Sequence, residues 1–356
     1  LKIGHGPGKI EEFSTGKPLF RKMWYKVAVS FDAASGKVRV FQRPYVTNTN
    51  NGHGMSMLHP VDDTQGEIQG SSYMGGPAQN DCPFLMAAAT KKSCAGRYLN
   101  GGIYRELSEP MEIPIHTLKY NGKIERPKLA NRALEDHEIE MLLSCQGIEH
   151  APNELRACVI GAWDFVSNIK DNAASQSIID KSLTLSHGQC VNIPVRAVTG
   201  FNWSSDFMSF THGPHEYGAI HFHDESVDDA RWDQSFTLTV PEGLPSGVYA
   251  ARLRVNRIAS ADTEDYIPFA VRPPKTGSKA KIALVLPIFS YMAYANDNLS
   301  VNSVIAQLLT GRVPLLQPGD LLLNKERGYG LGTYAHYRDG WGVNTSSRLR
   351  PIINMR

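Results

Sequence analysis

Two stretches decide how this chain is read. The first is Lys281-Ile282-Ala283-Leu284-Val285-Leu286-Pro287-Ile288-Phe289-Ser290-Tyr291-Met292-Ala293-Tyr294-Ala295-Asn296. The second is Gly330-Leu331-Gly332-Thr333-Tyr334-Ala335-His336-Tyr337-Arg338-Asp339-Gly340-Trp341-Gly342-Val343. Residues 282–286 are an unbroken apolar run, which predicts a strand buried on both faces. Tyrosines, an asparagine and an aspartate crowd the places where that strand and a later segment give way to loops. In open α/β sheets, ligands bind beyond the carboxyl ends of the strands. Between the two stretches, Asn298 or Ser300 can cap a helix whose apolar residues Val301, Val304, Ile305, Leu308 and Leu309 recur at helical spacing, with Gly311 as its stop. Strand, loop and helix read as the first unit of a βαβ domain over 281–356. One such unit cannot close a core. The expectation is that the rest of the domain comes from another polypeptide, or that this chain is a piece of a longer one.

Working outward, 356 residues suit two to three domains, and 42% hydrophobic content suffices to build cores. Lys+Arg 37 against Asp+Glu 35 leaves a net charge of +2, no footprint for nucleic acid or an anionic membrane. No apolar run approaches the ~20 residues of a membrane helix. No signal peptide is evident, and the start at Leu1 suggests a missing or processed N-terminus. Cys82, Cys94, Cys145, Cys158 and Cys190 are scattered without a Cys-x-x-Cys pair, which predicts reduced thiols and a cytoplasmic protein.

Upstream, Tyr25, Val27, Val29 and Phe31 alternate with Lys26, Ala28 and Ser30; residues 32–36 turn, and Val38 and Val40 resume the alternation, a hairpin signature. Residues 46–79 are rich in Asn, Gly, Ser and Gln and predict long surface loops. Residues 119–139 contain Asn121-Gly122-Lys123-Ile124 and Arg132-Ala133-Leu134 followed by Glu138-Ile139. With the hairpin, this segment resembles laminin-G-like, concanavalin-type jelly rolls. Ala162-Trp163-Asp164-Phe165 and residues 185–203 look like further strands, so the resemblance implies a β-sandwich within 1–205. Residues 206–274 form a β-rich connecting region with expected strands at 236–240 and 248–255, and 273–281 is a Pro-, Gly-, Ser- and Lys-rich linker. The expected class is thus mostly β and multidomain: a jelly roll, a small β region, and the start of an open-sheet α/β domain. Such sandwiches often bind sugars or calcium, but no run of loop carboxylates resembles a calcium site.

Three constellations could carry chemistry. His221 and His223 share one face of a strand and could chelate zinc or iron, with His215, Asp224, Asp228 and Asp229 near in sequence; polar residues at a domain interface are the blander explanation and the one the spacing favours. Tyr291, Tyr294, Tyr334 and Tyr337 could supply hard anionic oxygens for Fe(III), since a phenol with a pKa of ~10 ionises at neutral pH only beside a strong cation. On spacing alone, packed phenols with satisfied hydroxyls are the better reading. No nucleophile elbow, activated cysteine or Gly-rich phosphate loop is present.

Taken together, Ala162-Trp163-Asp164-Phe165, the segments 192–200, 217–224, 246–253 and 265–273, and the two opening stretches resemble one family, the large subunit of N,N-dimethylformamidase. The likeness runs collinearly over most of 120–350. It implies hydrolysis of N-substituted formamides to formate and an amine at one mononuclear Fe(III) held by two tyrosines and a glutamate. It points to Tyr294, with Tyr291 in reserve, and to Tyr334, with Tyr337 in reserve; the glutamate and other catalytic groups fall beyond Arg356. Trp341 departs from the family, which usually has a small residue between the two glycines. The implied mechanism is metal-assisted amide hydrolysis, with Asn296, His336 and Asp339 orienting ligands or water or merely stabilising loops. A small subunit, a chain or segment completing the α/β domain, and a small formamide are the implied partners, in a hetero-oligomer without nucleic acid or membrane. The competing reading is a non-catalytic β-sandwich subunit that binds a glycan or docks on a partner.

Overall fold

The computed structural model describes residues 1–6, 8–47, 49–50, 52–53, 56–57, 59–78, 83–91, 115–169, 176–230, 232–254, 264–278, 280–297, 308, 311, 315–316 and 318–354. The chain divides into two compact units, residues 1–90 with 116–223, and residues 91–115 with 224–356. The architecture is mostly β, in several antiparallel sheets with few helices.

In the first unit the predicted hairpin forms. Strand β1 (Tyr25–Phe31) pairs antiparallel with β2 (Lys37–Pro44), setting Val29 opposite Val40. Asp32 shapes the turn by accepting the Ala34 amide at 3.0 Å and the Ser35 hydroxyl at 2.5 Å. Gly36 closes it at φ +72°, where an added Cβ would stand 2.3 Å from the Ser72 carbonyl oxygen, so no side chain fits. A third strand, β3 (Gly66–Ser71), pairs with β2 and makes it central. This strand lies inside the stretch expected to be loop: its only strong apolar residue is Ile68, too little alternation to read as a strand. Val38 and Val40 are buried with Ile3 against Phe13, Phe31 and Ile68, whereas Val27 and Val29 on the edge strand stay half exposed.

Two further sheets complete this unit. One has β10 (Ala219–Phe222) at its centre between β4 (Gly122–Glu125) and β9 (Val195–Val198). The other runs β5 (Lys128–Ala130), β6 (Val159–Asp164), β7 (Ser177–Asp180), β8 (Gly188–Gln189). Helices α1 (Asp136–Ser144) and α2 (Asn153–Cys158) lay Leu142, Leu155 and Cys158 against Val159 and Ala162 of β6. Helix α1 begins with a reciprocal Glu135–Glu138 cap, and the Arg132 fork at 2.6 and 2.8 Å holds the Glu138 carboxyl down at about 2. Asp180, 1% exposed, ties β6 and β7 to the following turn by accepting the Ala162 and Ser182 amides at Oδ1 and the Ser186 amide at Oδ2, each at 2.8 Å.

In the second unit a ribbon of β11 (Gly247–Arg254) and β12 (Glu264–Val271) pairs over its full length. The strand expected at 236–240 has no ladder, and Phe236 and Leu238 are exposed. The apolar run is also not a buried strand. Residues 282–286 are irregular, with Ile282 87%, Leu284 72% and Val285 86% exposed. A strand of this kind needs a ladder partner on each edge and cover on each face, and among the described residues none lies beside it. Helices α3 (Ile288–Tyr294) and α4 (Pro318–Lys325) follow. The helix expected over 301–309 lies, apart from Leu308, outside the described residues. Among the described residues no helix is long and apolar enough to cross a membrane.

Candidate functional site

Helix α3 starts where Pro287 interrupts the apolar run; the Tyr291 amide returns to the Pro287 carbonyl at 3.1 Å. Tyr294 is its last residue. The chain leaves the helix through Asn296, held at φ +58°, a left-handed conformation that asparagine tolerates better than most residues. Asn296 is 1% exposed, and its side chain is fully committed to backbone. Its Nδ2 donates to the carbonyls of Pro351 at 2.7 Å and Gly330 at 3.2 Å, and its Oδ1 accepts the Ile353 amide at 2.9 Å. Asn354 completes the clamp, accepting the Asn296 amide at 2.8 Å and donating to the Tyr294 carbonyl at 3.0 Å.

The Tyr334 segment is brought alongside by the same contacts. Gly332 lies so near Asp297 that an added Cβ would stand 3.1 Å from its Cα. The Thr333 amide donates to the Ala293 carbonyl at 2.9 Å. The Tyr294 and Tyr334 rings consequently stack, centroids 4.5 Å apart at 21°, each residue 48% exposed. The neighbouring Tyr334 hydroxyl, ahead of burial and the Asp297 charge, pushes the Tyr294 phenol above its ordinary value. Two adjacent phenols at a half-open surface can become two anionic oxygen donors if a strong cation displaces both protons. The donor chemistry therefore fits a ferric ion as part of a larger ligand set.

The other tyrosines do not join the pair. Tyr291 sits on α3 and is 41% exposed, whereas Tyr337 is buried with Leu331 and Val343, accepting from the Ser226 hydroxyl at 3.2 Å, with its phenol pushed up by burial. His336 is exposed and its carbonyl accepts from Arg327 Nη2 at 2.8 Å. Asp339 Oδ1 accepts the Trp341 amide at 3.0 Å and so shapes the glycine-flanked loop that carries the bulky residue.

Two groups that sequence reasoning passed over hold this region. Glu225, 3% exposed, receives both Arg327, through Nε and through Nη2 at 2.9 Å, and Arg338 Nε at 2.9 Å. Arg350, 6% exposed, donates to four backbone and hydroxyl oxygens. Glu225 was overshadowed by His223 and Asp224 next to it; Arg350 carries no sequence signal, being one of several arginines in a polar tail.

The histidine pair belongs to the first unit. His221 on β10 and His223 just past it are 4% and 8% exposed, with ring centroids 4.0 Å apart at 42°. His215 is turned to Glu216 at 3.9 Å. Within the second unit, Asp224 faces Arg338 at 3.8 Å and Asp228 accepts the Asp229 amide. The first unit also has a cavity of about 300 Å³ lined by Arg126, Lys128, Trp163 and His215 among others; burial and the nearby Arg126 charge lower the Lys128 ammonium. Trp163 is stacked on Phe84 at 5.2 Å, so its ring face is already occupied.

A family model described as N,N-dimethylformamidase beta subunit-like, C-terminal, matches residues 195–356, which include the tyrosine pair and its clamp. The N,N-dimethylformamidase beta subunit of Paracoccus aminophilus is 34% identical over 356 residues, and that of Alcaligenes sp 33% over 359. In each case the match covers 99% of this chain and 43% of the relative, so the chain spans less than half the length of these proteins. The likeness thus runs through both units: the chain is similar to N,N-dimethylformamidase beta subunits along nearly its whole length, and residues 195–356 match the model of their C-terminal part.

Proposed function

We propose that this chain contributes Tyr294 and Tyr334 as ligands to a mononuclear ferric centre of an amidohydrolase that cleaves N-substituted formamides to formate and an amine. The observation that carries the reading is the phenol pair itself: side chains from two separate stretches stack with ring centroids 4.5 Å apart, half open to solvent. Likeness to the relatives, which are named N,N-dimethylformamidase beta subunits, supports the substrate class. When bound, iron would supply a Lewis acid that polarises the formamide carbonyl and acidifies water. The protein's own contribution is to hold two phenol oxygens side by side, each giving up its proton as the cation enters. Asn296 and Asn354 fix the backbone on both sides of Tyr294; Asp339 and the Arg327–His336 contact fix the loop after Tyr334. Water adds across the C–N bond, oxygen going to the formyl carbon and a proton to the leaving nitrogen.

The remaining ligand, a glutamate, is assigned to a segment completing the α/β domain, in a hetero-oligomer with a small subunit. The exposed run Ile282, Leu284, Val285 and Phe289 supports that assignment, because added strands and a covering helix would bury it. We assign the sheets of the first unit to a laminin-G-like sandwich serving assembly, and the free thiols of Cys145, Cys158 and Cys190 suit a cytoplasmic location.

The test is metal analysis and visible absorption of the assembled enzyme. One iron per site and a phenolate-to-iron charge-transfer band are expected, with the band lost in Tyr334→Phe and Tyr294→Phe. A band retained in both variants, or an active iron-free preparation, refutes the proposal.

A further inference from the structure

We infer that Arg350 is a positioning residue that sets the separation of the Tyr294 and Tyr334 phenols. The inference concerns the geometry of the pair and rests on the proposed function only for its purpose. The guanidinium spans the two segments that carry the rings. Nη2 donates to the carbonyl of Ala295, the residue after Tyr294, at 3.1 Å, and Nη1 donates to the carbonyl of Leu331, just ahead of Tyr334, at 2.9 Å. Nε donates to the Ser347 carbonyl at 2.9 Å, and Nη2 also donates to Ser346 Oγ at 2.9 Å. Ser346 in turn donates to the Met292 carbonyl at 2.8 Å, back on the helix that ends in Tyr294. One rigid, planar group therefore ties together the exit of α3, the approach to Tyr334 and the C-terminal segment.

The chemistry of the bridge argues against a general stabilising role. All four acceptors are neutral, and burial lowers the guanidinium to about 10. A desolvated cation with no carboxylate beside it among the described residues is an expensive way to fill a core, and an apolar side chain of similar volume would do it at lower cost. What arginine adds is a fork whose donors leave at fixed angles, so that two carbonyls are held at a set distance. The backbone makes room for it: Gly330, at φ +84°, would place a Cβ 2.5 Å from Nη1.

The test uses the full chain and a readout that needs no metal. Peroxidase-driven one-electron oxidation cross-links adjacent phenols to dityrosine, located by mass spectrometry of the joined peptides. The wild type should give a 294–334 cross-link, absent in Tyr334→Phe. Arg350→Lys keeps the charge but cannot bridge, and should lower that yield at least about tenfold, because proximity reactions fall steeply with misplacement by an ångström. Leu323→Ala, which removes a buried side chain of α4, serves as a control of lowered stability with an unchanged yield. Should Arg350→Lys fail to fold, Ser346→Ala decides, with a fall of about twofold to threefold from loss of one of the fork's partners. Unchanged cross-linking in a folded Arg350→Lys, or in Ser346→Ala if that variant must decide, overturns the inference, as does an equal loss in Leu323→Ala. The two readings can fail separately. A lost cross-link with no ferric band in the assembled wild type leaves Arg350 standing and removes iron. A ferric band in the assembled wild type, with Arg350→Lys unchanged in both band and cross-link, does the reverse.

Discussion

Replacing Asn296 should loosen the tyrosine pair by an amount that the structure lets one divide. In Asn296→Ala the carbonyls of Pro351 and Gly330 lose their donor, and the Ile353 amide loses its acceptor. Each buried orphan costs about 1–3 kcal/mol, and water reaches part of this site, so the three together cost roughly 3 kcal/mol. The left-handed φ of +58° adds about 1 kcal/mol for an alanine, for a total of about 4 kcal/mol. Asn296→Gly loses the same hydrogen bonds without the backbone strain and should be less damaging by roughly 0.5–1 kcal/mol. Asn296→Asp keeps the acceptor for Ile353 but turns an oxygen on the two carbonyls. Its carboxyl is then pushed up in the folded state, so that this variant regains stability in acid and loses it as pH rises. The assay is hydrogen exchange over 351–354, where the Ile353 amide is the direct reporter. Since 1.4 kcal/mol is tenfold, protection should fall about a thousandfold in the alanine variant and several-fold less in the glycine variant. A fall below about tenfold, or alanine and glycine variants that cannot be told apart, refutes the clamp.

Asp180→Ala should destabilise the first unit by about 3–5 kcal/mol in denaturant unfolding followed by Trp163, because backbone amides of Ala162, Ser182 and Ser186 lose their acceptor. Burial opposes ionisation of this carboxyl, yet those hydrogen bonds outweigh it and hold it below its usual value. Its contribution is therefore present above the unfolded value of ~3.9 and lost as pH falls through the folded one, so the wild type should lose more stability in acid than the variant. Cys190 is part-buried like Cys145, but desolvation pushes its thiol up to about 11, so it should react with a thiol alkylating agent at pH 8 more slowly than Cys145; labelling of Cys190 as prompt as that of Cys145 contradicts the raised thiol. Glu225→Gln leaves Arg327 without its carboxylate and Arg338 with only the longer Asp224 contact, and should cost about 3 kcal/mol in the second unit, measured by local hydrogen exchange, the low end for a broken buried pair because Arg338 is largely exposed.

Local patterns were legible in the sequence where alternation and turn chemistry agreed. The Asp32–Gly36 turn and its two strands follow from residues a few positions apart, and the strand at 247–254 reads from its own composition, but its partner is 264–271 and not the expected 236–240. Strand β3 was not legible, since its place in the sheet comes from pairing with β2 rather than from its own composition. The run at 282–286 read as a buried strand because hydrophobicity alone says what a segment needs, not whether neighbours are at hand. The two tyrosines could be singled out only through resemblance, because spacing gives no preference among Tyr291, Tyr294, Tyr334 and Tyr337. Their stacking depends on long-range backbone contacts. Arg350 and Glu225 stayed hidden for the same reason: their roles are set by which carbonyls and charges the fold brings to them.

The bare run of Ile282, Leu284 and Val285 also bears on handling and longevity. Such a stretch, rich in β-forming side chains and lacking charge, is the sort that seeds intermolecular zippers and turns a clear solution cloudy. Lys281 on one flank and Pro287 on the other bracket it, a cation that repels its own copies and a ring that refuses a ladder hydrogen bond. Those two residues act as gatekeepers, and Lys281→Val or Pro287→Val should shorten the lag before turbidity in a concentrated preparation.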